Sequence, residues 1–191
     1  MYFEAAGEVS QFKPNARMSS VTSELAPSDS PNLTLTQPTP EEKEATWKVN
    51  GQAWQGSMDM PTYIRREIQL ENQELTREGG ITFWVLVDAT LPPNARPILS
   101  SCESIRKKAV IARGGSCKIM DITSHGIASV YCDPRYRRRG YAQRMINELG
   151  KRLDNWQQKD GERTNFTILF SDIGKVRERN PRFPRLGSLK S

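Results

Sequence analysis

A chain of 191 residues has room for one globular domain with a sizeable core, yet only 36% of it is hydrophobic, so part of it is expected to remain unpacked. No apolar run approaches the roughly 20 residues a membrane span requires, and the opening MYFEAAGEVSQFKPNARMSS carries no apolar signal block. The net charge of +6 conceals an asymmetry: residues 1–100 hold 8 Lys and Arg against 13 Asp and Glu, whereas residues 101–191 hold 20 against 9, and a basic half implies a polyanionic partner.

Three cysteines, Cys102, Cys117 and Cys132, form an odd set without C-x-x-C spacing. They read as reduced structural thiols of a cytoplasmic protein, with no metal site.

Residues 1 to about 31 are rich in Ser, Pro and acidic side chains and lack periodicity, as expected of a disordered leader. Leu33 to Thr36 alternates and predicts a short strand. Thr39-Pro40-Glu41-Glu42 is a helix start: Thr39 as N-cap, Pro40 at the first helical position, Glu42 where a capping box needs it. That helix is predicted to reach about Trp54. A second follows the Met60-Pro61 break, with Tyr63, Ile64 and Ile68 at helical spacing, and Gly79-Gly80 closes the section.

Strands come next. Ile81 to Asp88 is dense in β-branched and aromatic residues. Ile98 to Ala112 reads as a strand with a polar insertion at Glu103 to Lys108, and Ile122 to Cys132 as another, broken by Asp133-Pro134. From about Arg139 to Gln158 the period becomes helical: Tyr141, Met145 and Leu149 recur at four-residue spacing, and Glu148 and Arg152 form an i,i+4 pair on the other face. Thr164 to Ser171 predicts a last strand. This order implies an α/β fold with a mixed sheet.

The chemistry concentrates in IASVYCDPRYRRRGYAQRMINELGKRLDNW, residues 127–156. A strand ends at a proline, a basic loop with one glycine follows, and an amphipathic helix begins. The first amides of such a helix lack intrahelical partners, and its dipole places about +0.5 charge there, which suits a phosphate. Gly140 lets backbone approach an anion, Ala142 keeps the first turn narrow, and Arg137, Arg138 and Arg139 can grip phosphate oxygens. A nucleic-acid surface fits less well, because the charge sits at a single loop without an array of stacking aromatics.

Arg137-x-x-Gly140-x-Ala142 resembles the (Q/R)-x-x-G-x-(G/A) pyrophosphate loop of the GNAT superfamily of N-acetyltransferases. Residues 33–175, through HGIASVYCDPRYRRRGYAQRMINELGKRLDNWQ, WVLVD, ARPILSSCESIRKKA and SDIGK, further resemble the fungal lysine N6-acetyltransferase family. The resemblance implies a twisted mixed sheet with flanking helices over residues 32–174, acetyl-CoA as co-substrate, a small amine such as free L-lysine as acceptor, and neither membrane nor nucleic acid as partner. It implies that Ser129, Val130 and Tyr131 offer backbone groups to the pantetheine arm and the thioester carbonyl. Arg137, Arg138, Arg139, Gly140, Tyr141, Ala142 and Gln143 would wrap the pyrophosphate.

Direct attack on the thioester needs a neutral amine, and deprotonating a lysine of pKa near 10.4 at pH 7 costs about 4.6 kcal/mol. A general base is therefore required. His125, the one histidine, lies on the cofactor strand at a family position and is a candidate, a hydrogen-bonded structural role being the alternative. Asp121, Glu67 and Glu71 are further carboxylates available to an acceptor pocket. After Gly174 the chain departs from the family: the basic segment VRERNPRFPRLGSLKS, with two prolines and no tyrosine, stands where the family has an aromatic helix and further strands. On that reading the domain is truncated, residues 175–191 form an irregular tail, and cofactor recognition is better supported than turnover.

Overall fold

Alternating burial organises the chain into β1 (Leu33–Thr36), α1 (Pro40–Trp54), α2 (Met60–Glu71), β2 (Ile81–Asp88), β3 (Ser100–Ala112), β4 (Ile119–Tyr131), α3 (Tyr141–Leu153) and β5 (Thr167–Leu169). The structure is a computed structural model and describes residues 25–112, 119–157 and 166–169. Five strands form one sheet in the order β1-β2-β3-β4-β5. The first four pair antiparallel and β5 joins β4 in parallel. This is the mixed α/β architecture expected, with helices on both faces of the sheet.

Strand periodicity assigns the faces. Trp84 and Leu86 point to one side and pack with Tyr141, Met145, Leu149 and Leu153 of α3. Those four helical residues recur every fourth position and are at most 1% exposed. Each contributes roughly 2 kcal/mol of apolar burial. Phe83, on the opposite side, meets Trp47 of α1 edge-on at 5.7 Å between ring centroids. Gly51 lets α2 close onto α1, since a Cβ there would come within 3.0 Å of the Met60 side chain and the Tyr63 ring.

The helix start at Thr39 carries the full capping box: Thr39 accepts from the Glu42 amide at 3.1 Å, and Glu42 accepts from the Thr39 amide at 3.1 Å. Glu42 does more than cap. It also accepts from the Asn94 amide and from Arg96, whose Nε lies 2.8 Å away, so one buried carboxylate ties α1 to the β2–β3 connection.

The structure differs from the sequence reading in several places. Met60 and Pro61 form the first turn of α2 behind an Asp59 N-cap rather than breaking the chain. Glu103 to Lys108 is no insertion but continuous strand, paired in register with β4. Helix α3 starts at Tyr141 and ends at Leu153, inside the expected bounds. Glu148 pairs with Arg144 rather than Arg152, and its other oxygen accepts from the Leu35 amide of the edge strand β1 at 3.0 Å. The leader is packed at its end: Leu25 and Ala26 lie against the core, and Tyr141 donates to the Ala26 carbonyl at 2.6 Å. Residues 1–24, Cys117, the ends of the strand expected over 164–171, and the tail 175–191 lie outside the described residues. No described helix is long and apolar enough to cross a membrane.

Burial alone would raise the Glu42 carboxyl, but the Arg96 guanidinium and the two amides outweigh it and hold the group below its ordinary value. Its contribution is therefore present above the unfolded pKa and lost as pH falls through the folded one. Glu42→Ala should lower stability by about 3 kcal/mol near neutral pH, because it strands Arg96, and the loss should shrink in acid; urea denaturation at pH 7 and pH 3 measures both.

Candidate cofactor and acceptor site

The site begins with a defect in strand pairing. Ser101 faces Tyr131 and Glu103 faces Ala128, so β4 carries one more residue than β3 over the same stretch. The extra residue is absorbed at Ser129, whose φ of 52° is left-handed. For a non-glycine residue this costs about 1–2 kcal/mol. The bulge also resets the alternation, so Ala128 and Tyr131 both face α1 and α2, and Tyr131 meets Trp54 edge-on at 5.2 Å. Among the described residues the pairing of β4 with β5 stops at Ile127, just short of the bulge.

From Tyr131 the chain enters a braced turn. Buried Asp133 accepts from the Arg135 amide at 2.9 Å and from its guanidinium at 2.6 Å. The Arg135 hydrogen bond leads the effects that hold the Asp133 carboxyl below its ordinary value. Arg137 donates from Nε to the Cys132 carbonyl at 3.0 Å and lies 5.3 Å from the Tyr131 ring centre. Arg138 is left-handed at φ 64°, and Gly140 follows at φ 82° as the N-cap of α3.

Gly140 has no side chain, so no cap hydrogen bond closes the helix start. The first bond of the ladder runs from the Arg144 amide to the Gly140 carbonyl. The amides of Tyr141, Ala142 and Gln143 precede it and have no intrahelical acceptor. Arg135 and Arg144 are neutralised by Asp133 and Glu148. Among the described residues Arg137, Arg138 and Arg139 pair with no carboxylate, and all three are exposed.

Of the residues singled out from sequence, Ser129, Val130 and Tyr131 thus share the bulge, and Arg137, Arg138, Arg139, Gly140, Ala142 and Gln143 share the mouth of α3. Tyr141 belongs there by its backbone alone, because its side chain is 1% exposed in the core. Gln143 is exposed and donates to Asn147 at 3.0 Å.

His125 is placed elsewhere. It faces the α3 side, as Ile127 does, is fully buried, and lies on the opposite face of the sheet from Glu103 and Tyr131. Burial, together with Arg106, holds it below its ordinary value against a hydrogen bond with Gln157, so it is neutral at physiological pH. Asp121 is exposed far along β4.

Glu67 and Glu71 do face the α1–α2 side, held by Arg66 and Lys43, each at 2.6 Å. They flank a residue that the sequence reading passed over. Glu103 accepts from the Ser129 hydroxyl at 3.0 Å and lies near enough to α2 to feel the charges of Glu67 and Glu71. Its signal was a carboxylate, a type depleted in strands, inside a run that pairs as continuous strand. Between α1 and the end of β4 lies a cavity of about 210 Å³ lined by Asn50, Arg96, Ser101, Tyr131, Asp133 and Arg135, among others. Asn50 is 5% exposed, and its Oδ1 has no hydrogen-bond partner among the described residues.

No family model matches the chain, and no curated protein matches it. Among solved structures it is similar to an acetyltransferase of Trypanosoma brucei, 17% identical over 80% of this chain and 99% of that one, with a TM-score of 0.48. It is also similar to glucosamine-6-phosphate N-acetyltransferase from Arabidopsis thaliana (13% identical, 74% and 83% covered, TM-score 0.45) and to Arabidopsis thaliana NAA60 in complex with acetyl-CoA (15%, 64% and 70%, TM-score 0.44).

A Cβ on residue 140 would approach the Ser28 hydroxyl to 2.8 Å in a left-handed conformation. Gly140→Ala should therefore cost about 1–2 kcal/mol through the dihedral alone, read as a lowered urea midpoint with unchanged slope.

Proposed function

We propose that this protein is an acetyl-CoA-dependent N-acetyltransferase of the GNAT type, acting on a small amine. The observation that carries the reading is the mouth of α3: an uncapped helix start on a left-handed glycine, beside three arginines without carboxylate partners, directly after a strand with a bulge. Open amides and guanidinium groups without a carboxylate partner among the described residues make a binding place for a diphosphate, and a diphosphate is what coenzyme A presents.

The rest of the cofactor follows the strand. The pantetheine arm runs along the backbone of Ser129, Val130 and Tyr131, whose polar groups supply amide-like hydrogen bonds. The same backbone N–H groups polarise the thioester carbonyl as negative charge develops on its oxygen. Arg137 orients the phosphate end, while its own bond to the Cys132 carbonyl keeps it at the strand terminus. No metal is required, because the thioester is already activated and the charge is stabilised by fixed dipoles.

The acceptor enters on the α1–α2 side. The cavity beside Tyr131 offers the Asn50 oxygen, unpartnered among the described residues, to an N–H donor. The sequence resemblance implies L-lysine as that amine. A nucleic-acid partner is disfavoured, since the unpaired arginines occupy one loop.

Calorimetry should show saturable binding of acetyl-CoA that weakens about tenfold in Arg137→Ala, the loss of one charge-assisted contact, and disappears in Gly140→Trp. Mass spectrometry of L-lysine incubated with protein and acetyl-CoA should reveal a monoacetylated product. Absence of binding would remove the reading altogether; binding without transfer to any amine would leave a non-catalytic cofactor-binding protein.

A further inference from the structure

The face beneath α1 and α2 gathers three carboxylates with unequal partners. Glu71 is neutralised by Lys43 and Glu67 by Arg66. Glu103 has no cationic partner among the described residues; it holds only the Ser129 hydroxyl at 3.0 Å. Ser129 is the left-handed residue of the bulge, so the carboxylate lies against the segment assigned above to the thioester. The Glu103 oxygen not committed to Ser129 retains its capacity to accept a proton.

We propose that Glu103 is the catalytic proton acceptor for the amine, an assignment that rests on the transferase reading. The ammonium form of the acceptor approaches from the α1–α2 side and gives one proton to a Glu103 carboxylate oxygen. The freed nitrogen lone pair attacks the thioester carbon while the carbonyl oxygen takes negative charge. Collapse of that intermediate breaks the C–S bond with its electron pair going to sulfur. The second nitrogen proton leaves with the sulfur, giving amide and free thiol, and protonated Glu103 releases its proton to solvent. Charge and atoms balance: one ammonium and one thioester yield one amide, one thiol and one proton.

The surroundings tune the group for this task. Burial pushes the Glu103 carboxyl up to about 7; the Ser129 hydroxyl opposes the rise, and Glu67 and Glu71 add to it. The other titratable neighbours are fixed. Tyr63 on α2 is pushed up to about 12, chiefly by burial and the Glu67 charge, and stays a neutral phenol. Lys43 and Arg66 are committed to their partners, and the Lys107 side chain, further along β3, lies over the space beside Gly126 where a Cβ would stand. A base that is half ionised near neutrality combines availability with driving force for taking a proton.

The test measures kcat/KM for acetyl transfer against pH, together with acetyl-CoA affinity by calorimetry. Wild-type activity should rise through an apparent pKa near 7 as Glu103 ionises. Glu103→Gln should lower kcat at least a hundredfold, abolish that limb and leave the acetyl-CoA Kd within about threefold. Folding is controlled by its sign: the raised pKa destabilises the ionised fold, so Glu103→Gln should be at least as stable as wild type at pH 8. Ser129→Ala removes the one bond that opposes protonation and should move the limb upward. Retention of the limb near 7, or of activity within threefold, in Glu103→Gln would overturn the assignment while leaving the transferase reading intact. Wild-type protein that binds acetyl-CoA yet acetylates no amine would overturn both.

Discussion

One extra residue in β4 is the constraint on which the rest of the molecule turns. Between Ala128 and Tyr131 the strand takes an odd number of steps against an even number in β3. Without that surplus, strict alternation would send Tyr131 to the α3 side, into space already filled by Tyr141 and Met145. With it, both residues look toward α1, Ser129 turns left-handed, and its hydroxyl meets Glu103. The strain of a non-glycine residue at positive φ persists because sheet pairing on either side fixes both ends of the segment.

A second division runs through the arginines. Arg96, Arg135 and Arg144 each have a carboxylate and each joins two parts of the fold: α1 to the β2–β3 connection, the strand end to its turn, the helix to the edge of the sheet. Among the described residues Arg137, Arg138 and Arg139 carry the same chemistry without such partners, at the uncapped start of a helix. Structural cations are satisfied from within, and the proposed function assigns the remaining three to an anion from outside. The carboxylates mirror that pattern: Glu42, Glu67 and Glu71 are matched by cations, and Glu103 among the described residues by a hydroxyl alone.

Local rules predicted most elements well. The capping box at Thr39, the apolar run of β2 and the four-residue stripe of α3 are properties of short segments, in which each residue reports on its neighbours. The glycine loop was legible for the same reason: strand, turn and helix start are contiguous, so their joint geometry follows from spacing. The errors involve partners distant in sequence. Glu103 to Lys108 looked too polar for a strand, yet pairing with 123–128 settles its backbone regardless of side-chain preference. Glu148 chose Arg144 over Arg152 because its free oxygen was wanted by Leu35. The end of the leader packs because Tyr141 presents a hydroxyl to the Ala26 carbonyl.

The sequence by itself determined the elements, the mixed α/β order and the strand–loop–helix geometry around Gly140, since these depend on periodicity, capping and one glycine before a helix. It could not assign the faces. His125 and Glu103 both lie on central strands, and nothing local tells which side of the sheet either will meet. Only the folded sheet decided that His125 goes under α3 as a buried neutral group while Glu103 goes under α2 beside the bulge. A side chain's chemistry is set by the solvent and charges around it, and those come from residues that adjoin it in space and not along the chain.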